Sequence, residues 1–594
     1  MNQSAGHEAP QAEAELSGLE GPWAESAGPL SHSPPVGSSE AWTLPGRRAV
    51  LLGTVDAGLS QAWIHPCRVM QDVTLRVEGA ATTTVSLSVT PEQVVRRSMA
   101  DGAAVTERWM VALEHPVVVW QVESPAGVSV LREWTVDLRP ERSSKETKSA
   151  PECFLAPDGR RAVLRWPGDP FRLIIDVHGG TLGASMAQPP TIRISVRSLG
   201  RCRVRLTGAA DDADLERSRQ MLARRGLAGL GRQRADHASE LASYATSIES
   251  PEPELAESFE WAKVRMDGLL VGTPGVGRCL VSGYAAGDPV RGVGEAARHV
   301  TEEACLVALA QLAAGDRNGP RDTLKFLSST LGDDGRVLEE CSTNGHARFG
   351  PAAIPHFLLL AARYAAWTGE LDFLSRRWTA IRRAVDFAVA GRAWSRGDAA
   401  PAVWAGALAS LPPLAEALGH PETAADLATH AEAARAGVPD ATLPVSPLGG
   451  GGFHEGRFEQ DFSAWRALAA LVRRNEGGAR ACAGVAAGAV EGLWGVFPDA
   501  LEGAVRIAPW FPPDWDAMAV ERIRVGRTVL SVRMRRRFGQ VAARIERVHG
   551  PRMHVEFALR GAPALTTVLL DDVELGGGRV AFEADGTHAL VWHP

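Results

Sequence analysis

The sequence of 594 residues contains no apolar run approaching the roughly 18–20 residues that a membrane-spanning helix requires, so no membrane partner is expected. It has no excess of basic charge. Its 63 Lys and Arg stand against 70 Asp and Glu, for a net charge of −7 and a pI near 6.2. That balance offers no footprint for nucleic acid or an anionic surface. The seven cysteines (Cys67, Cys153, Cys202, Cys279, Cys305, Cys341 and Cys482) are scattered, odd in number and never spaced C-x-x-C. They fit reduced thiols rather than a disulfide framework. The chain also lacks G-x-x-x-x-G-K-[ST], H-E-x-x-H, G-x-S-x-G and any zinc-spaced Cys/His set. Residues 292–297 (GVGEAA) fit G-x-G-x-x-A, but no strand precedes them in a βαβ unit, so no dinucleotide site is expected. Neither cofactor nor metal is expected. Met1–Pro10 lacks the basic start and apolar stretch of a secretory signal, and the reading is cytoplasmic. Tyrosine is scarce, at 3 residues, whereas tryptophan reaches 17. A flat indole stacks on the apolar face of a pyranose, but indoles also fill cores.

What is present is a succession of unlike segments. A single core rarely grows past about 250–300 residues, so two to four domains are expected. Residues 1–45 are rich in Ser, Pro, Gly, Ala and Glu and read as a disordered tail. Residues 46–208 carry short alternating or β-branched apolar runs separated by Gly and Pro, which predicts an antiparallel β-sandwich. Residues 209–252 read as linker helices. Residues 253–507 continue with helical periodicity, and the helix count near twelve suggests six α-hairpins in a ring, an (α/α)6 toroid. Strand patterns return in residues 508–594 as a small C-terminal β-domain. The fold class is therefore multidomain α and β.

Several phrases appear in a familiar order. They are residues 259–284 (FEWAKVRMDGLLVGTPGVGRCLVSGY), 321–345 (RDTLKFLSSTLGDDGRVLEECSTNG), 355–387, with Thr368-Gly369-Glu370-Leu371-Asp372-Phe373, and 492–515 (GLWGVFPDALEGAVRIAPWFPPDW). Together they resemble the glycogen-debranching type of six-hairpin glycosidase over roughly residues 45–590. The resemblance implies a glycoside hydrolase acting on an α-glucan or related oligosaccharide, with inverting chemistry by two carboxyl groups and carbohydrate as the partner.

Site residues follow from the resemblance position by position. Glu340 matches the Glu ahead of the Ser342-Thr343-Asn344-Gly345 loop and is the expected general acid. Its neighbour Glu339 replaces a family His. Glu455, on the glycine-rich loop 449–456, approximates the second carboxylate, with Asp461 as an extra acid at the following helix start. Glu303 falls at the Asp of the family's sugar-binding loop, where Glu302 replaces an Arg and Ala285-Ala286 replace an aromatic pair. Asn344, His346 and Arg348 are expected to hydrogen-bond sugar. Trp404, near a helix start, is the best aromatic wall. One departure is severe: Ala352 stands where the family has Asp. Each carboxylate also reads as a solvated loop or helix-end charge. The departures therefore keep open an alternative, a catalytically degraded carbohydrate-binding or scaffold relative. A sugar phosphorylase of related architecture would need basic residues at the barrel mouth, and no clear set is legible.

Overall fold

The computed structural model describes residues 30–138, 151–187, 191–284, 297–342, 345–391, 400–436, 453–454, 456–537, 540–561, 567–575 and 578–593. The first domain is a network of 14 described strands running from Ala41–Pro45 to Ile192–Ala209. The expected tail therefore ends earlier than residue 45. Ala41–Pro45 pairs antiparallel with Ala49–Thr54, and its alternating pattern buries Trp42 and Leu44. The long strands Arg172–Met186 and Ile192–Ala209 pair along their length and carry the sheet around the core. Inside lie Trp42, Trp109, Trp120 and Trp134, whose rings follow one another at 5.4, 6.4 and 6.2 Å. Much of the tryptophan surplus is therefore core.

The expected pair of linker helices is one helix, α1 (Asp212–Tyr244), broken at Gly226, where φ is +59°. Asp211 caps it by accepting the Asp214 N–H at 2.7 Å. The next segment, Ser247–Glu249, pairs with Ala517–Val525 and so joins the linker to the C-terminal sheet.

The helical domain follows as α2 (Pro253–Gly268), α3 (Thr301–Ala313), α4 (Asn318–Ser329), α5 (Ile354–Thr368), α6 (Leu371–Ser375), α7 (Trp378–Gly391), α8 (Pro401–Ser410), α9 (Pro412–Ala417), α10 (Pro421–Arg435), α11 (Phe458–Arg473) and α12 (Gly478–Ala487). Helix α3 packs between α5 and α12, and α5 packs against α8. These four form the inner row, while α4, α7, α10 and α11 lie outside them. The six hairpins of the sequence reading are not all found among the described residues, because part of the counted helix belongs to the linker.

The C-terminal strands begin with Val496–Asp499 and Ala504–Ile507, ahead of the expected boundary at 508. They share one continuous hydrophobic core with the helices. Phe462 of α11 meets Trp510 and Trp515, each at 5.3 Å between ring centroids. No helix among the described residues is long and apolar enough to cross a membrane.

Two buried histidines set an acid limit on this fold. His65 is fully buried with neither ring nitrogen bonded, and His299 bonds the Leu280 carbonyl at 3.1 Å through Nδ1. Burial, with Arg48 adding, brings His65 down to about 3, and burial brings His299 down to about 4. Both are neutral in the folded chain and take up a proton on unfolding below the ordinary histidine value. Stability should therefore fall as pH drops from about 6.5 towards 4, by about 1.4 kcal/mol per pH unit for each group. Denaturant midpoints at pH 7 and pH 5 check this, and His65→Gln/His299→Gln should flatten the slope.

Candidate active site

The inner helices α3, α5 and α12 begin at one mouth. A three-stranded antiparallel sheet lies across it, made of Arg298–Val300, Val337–Ser342 and Ala347–Gly350. The expected Glu340 loop is thus a strand. Its turn closes through Gly345, at φ +79°, whose N–H bonds the Ser342 carbonyl at 3.0 Å.

A register shift between Leu338 and Glu340 breaks the strict alternation of faces. Consequently the successive carboxylates Glu339 and Glu340 both reach Arg348, at 2.5 and 3.3 Å. Glu340 is also held by Arg298 Nε at 2.5 Å. Glu339 Oε1 accepts the backbone N–H of Ala352 at 3.2 Å. Gly350 leaves room for that carboxylate, since a Cβ there would lie 2.0 Å from Glu339 Oε1. A carboxyl group therefore stands beside the position where the resemblance expects an aspartate side chain.

The first turn of α3 supplies Glu302 and Glu303. Arg480, in the first turn of α12, joins them at 2.8 and 3.1 Å. The hydrogen bond to Glu302 is the largest influence raising the Arg480 pKa. His356, in the first turn of α5, is buried and held below the ordinary histidine value by that burial, against the pull of Glu302. The mouth therefore gathers Glu302, Glu303, Glu339 and Glu340 with Arg298, Arg348 and Arg480. Neither Arg298 nor Arg480 was singled out from sequence. Arg480 lies 177 residues from Glu303, and nothing local marks such a pairing.

Other expected residues are placed differently. His346 is exposed on the hairpin. Asn344 and Glu455 lie outside the described residues, as do residues 285–296 of the diverged loop. Asp461 Oδ2 accepts both the backbone N–H of His454, at 2.7 Å, and a hydrogen bond with its Nδ1, at 3.0 Å. Asp461 thus pins the chain just before Glu455 to the start of α11. Trp404 corrects the sequence reading: it is 0% exposed, so it cannot stack on a sugar. Helix α8 lies between α5 and α10. Among the described residues no group of three His, Cys, Asp or Glu side chains converges to hold a metal ion.

The mixed architecture of large antiparallel sheet and helices is shared with solved structures. A putative kojibiose phosphorylase from the human microbiome is similar over 92% of this chain and 96% of its own, at 8% identity and a TM-score of 0.59. A bacterial glucoamylase complexed with acarbose covers 70% of this chain and 69% of its own, at 10% identity and 0.47. A GH92 α-mannosidase from Bacteroides thetaiotaomicron, in complex with mannoimidazole, covers 91% and 86%, at 8% identity and 0.48. At such identities the likeness is one of fold. No protein-family model and no curated protein matches the sequence.

Proposed function

We propose that the mouth cleaves a glycosidic bond, and that the chain is a glycoside hydrolase of glycogen-debranching type acting on an α-glucan or related oligosaccharide. The observation supporting this most directly is the Glu339 carboxylate bonded to the N–H of Ala352. It returns an acid to the neighbourhood from which substitution removed one. Glu340 is the general acid in this reading, and Glu455 the base, on the loop that Asp461 anchors. The acid protonates the leaving oxygen while the base takes a proton from water attacking the opposite face of the sugar, which requires roughly 6.5–9.5 Å between the two.

A second reading is favoured by a different observation. Each described carboxylate of the mouth already holds a guanidinium group. Such pairs can bind sugar hydroxyls without moving a proton, as in a relative that binds carbohydrate only. The three arginines also supply the basic groups that phosphate, in place of water, would need.

One assay separates these. The chain is incubated with glycogen limit dextrin and short gluco-oligosaccharides, with and without inorganic phosphate. Reducing sugar released without phosphate supports hydrolysis. Sugar phosphate formed only with phosphate replaces hydrolysis by phosphorolysis. Saturable sugar binding without any product replaces both by binding alone.

A further inference from the structure

At the opposite end of α3 from the mouth lies a cavity of about 830 Å³. The helix has 13 residues, which puts it about 20 Å away. Three separate stretches of chain bring cations to it. Arg317, Arg321 and Lys325 come from α4 and its start, Arg376 and Arg377 from the end of α6, and Arg524 from the C-terminal sheet. Among the described residues none of these six has a carboxylate partner within salt-bridge distance. Five carboxylates share the cavity. Glu114, Asp267 and Asp322 are taken by Arg47, His237 and Arg278. Asp316 accepts the Asn318 N–H at 2.9 Å, and Glu240 completes the set.

Four of the six are held in place by other means. Arg377 Nη1 donates to the Phe373 carbonyl at 3.0 Å, and its guanidinium lies 3.8 Å from that ring. Arg321 covers the same ring at 5.0 Å. Arg524 Nε donates to the Tyr244 carbonyl at 2.8 Å. Arg317 donates to the Gly526 carbonyl. Arginines fixed by carbonyls and rings keep their charge unspent. Burial chiefly lowers the Arg377 pKa, and the neighbouring charges of Arg376 and Arg321 lower it further. Eight Arg and Lys side chains line the cavity against five carboxylates, and such an excess of cations favours a mobile anion.

We infer that this cavity binds a diphosphate group carried by a small molecule. A single phosphate could engage only part of a set drawn from three chain segments, whereas a diphosphate spans more of it. Tyr244 lines the same cavity and is 64% exposed; the Arg524 guanidinium lies 5.4 Å from its ring on one face, which leaves the other face to stack on a base if the carrier is a nucleotide. The inference does not depend on the hydrolase reading, because it uses a different cavity and different residues.

The test is calorimetric titration of the full chain with inorganic pyrophosphate, ADP, sulfate and a single-stranded oligonucleotide, at matched ionic strength. Saturable binding near one per chain is expected for pyrophosphate or ADP, and tighter than for sulfate. Arg321→Ala/Arg376→Ala removes two exposed side chains and should weaken it at least tenfold. In the absence of ligand the same variant should melt at the same temperature or higher, since repulsion is relieved. ADP binding tighter than pyrophosphate, with the difference lost in Tyr244→Ala, assigns a nucleotide carrier; equal binding assigns the free diphosphate. Absence of saturable binding by both, equal affinity for sulfate, unchanged binding in the variant, or binding of the oligonucleotide alone overturns the proposal.

Discussion

Glu340→Gln is expected to lower sugar release by about 10²–10⁴-fold, the contribution of a general acid. The substitution is close to isosteric. The amide oxygen can still accept from Arg298 and Arg348, which now hold the carboxylate at 2.5 and 3.3 Å, but the group cannot deliver a proton. Because the side chain is 22% exposed at the mouth, the fold should be unaffected, and unchanged thermal unfolding would confirm this. Sugar affinity should change far less than rate. Glu339→Gln removes the charge beside Ala352 and should also slow the reaction, whereas Glu455→Gln tests the base. Full activity in both Glu340→Gln and Glu455→Gln would overturn the assignment of the pair. Equal loss of binding and rate would assign these groups to holding sugar.

Asp267→Ala is expected to cost about 3–5 kcal/mol of stability, the cost of leaving a buried charge without its partner. Asp267, at the end of α2, meets Arg47 of the sandwich at 2.5 Å and His237 of α1 at 2.9 Å. Arg47 also donates to the Asp267 carbonyl. One carboxylate thus ties sandwich, linker and helical domain together. Burial is the largest influence on it and raises its pKa. Arg47 and His237 more than reverse this and hold it well below the usual carboxylate range. The sign follows: a depressed carboxyl stabilises the fold above about pH 4, and that contribution is lost as pH falls through its lowered value. Urea unfolding at pH 7 should show the full deficit for Asp267→Ala. The wild-type and variant curves should draw together in strong acid. An undiminished gap there would place the cost in packing rather than charge. Nearby Asp316, pushed up to about 6 chiefly by burial and then by the charge of Asp267, should return towards the ordinary value in the variant.

Much of the architecture was legible because it rests on local pattern. Strands with β-branched alternation, such as Thr83–Val89, and helices with an apolar face, such as Asn318–Ser329, declare themselves over a few residues. Gly226 was less legible. It breaks α1 without ending it, since one residue in the left-handed region can turn a helix that resumes at once. Trp404 failed for a related reason. Its place near a helix start suggested a wall, but whether a helix is inner or outer depends on neighbours far along the chain.

The sequence by itself determined the succession of β, α and β segments, the carboxylates at Glu302, Glu303, Glu339 and Glu340, and the loss of an acid at Ala352, because each is a matter of residue type and short-range period. Tertiary structure alone decided what those carboxylates face. Arg480 meets Glu302 and Glu303 only because α12 packs on α3. Glu339 reaches Ala352 only because a register shift turns it there. Ion pairs and cavities depend on distances of a few ångströms between groups far apart in the chain, and residue order does not encode those distances locally.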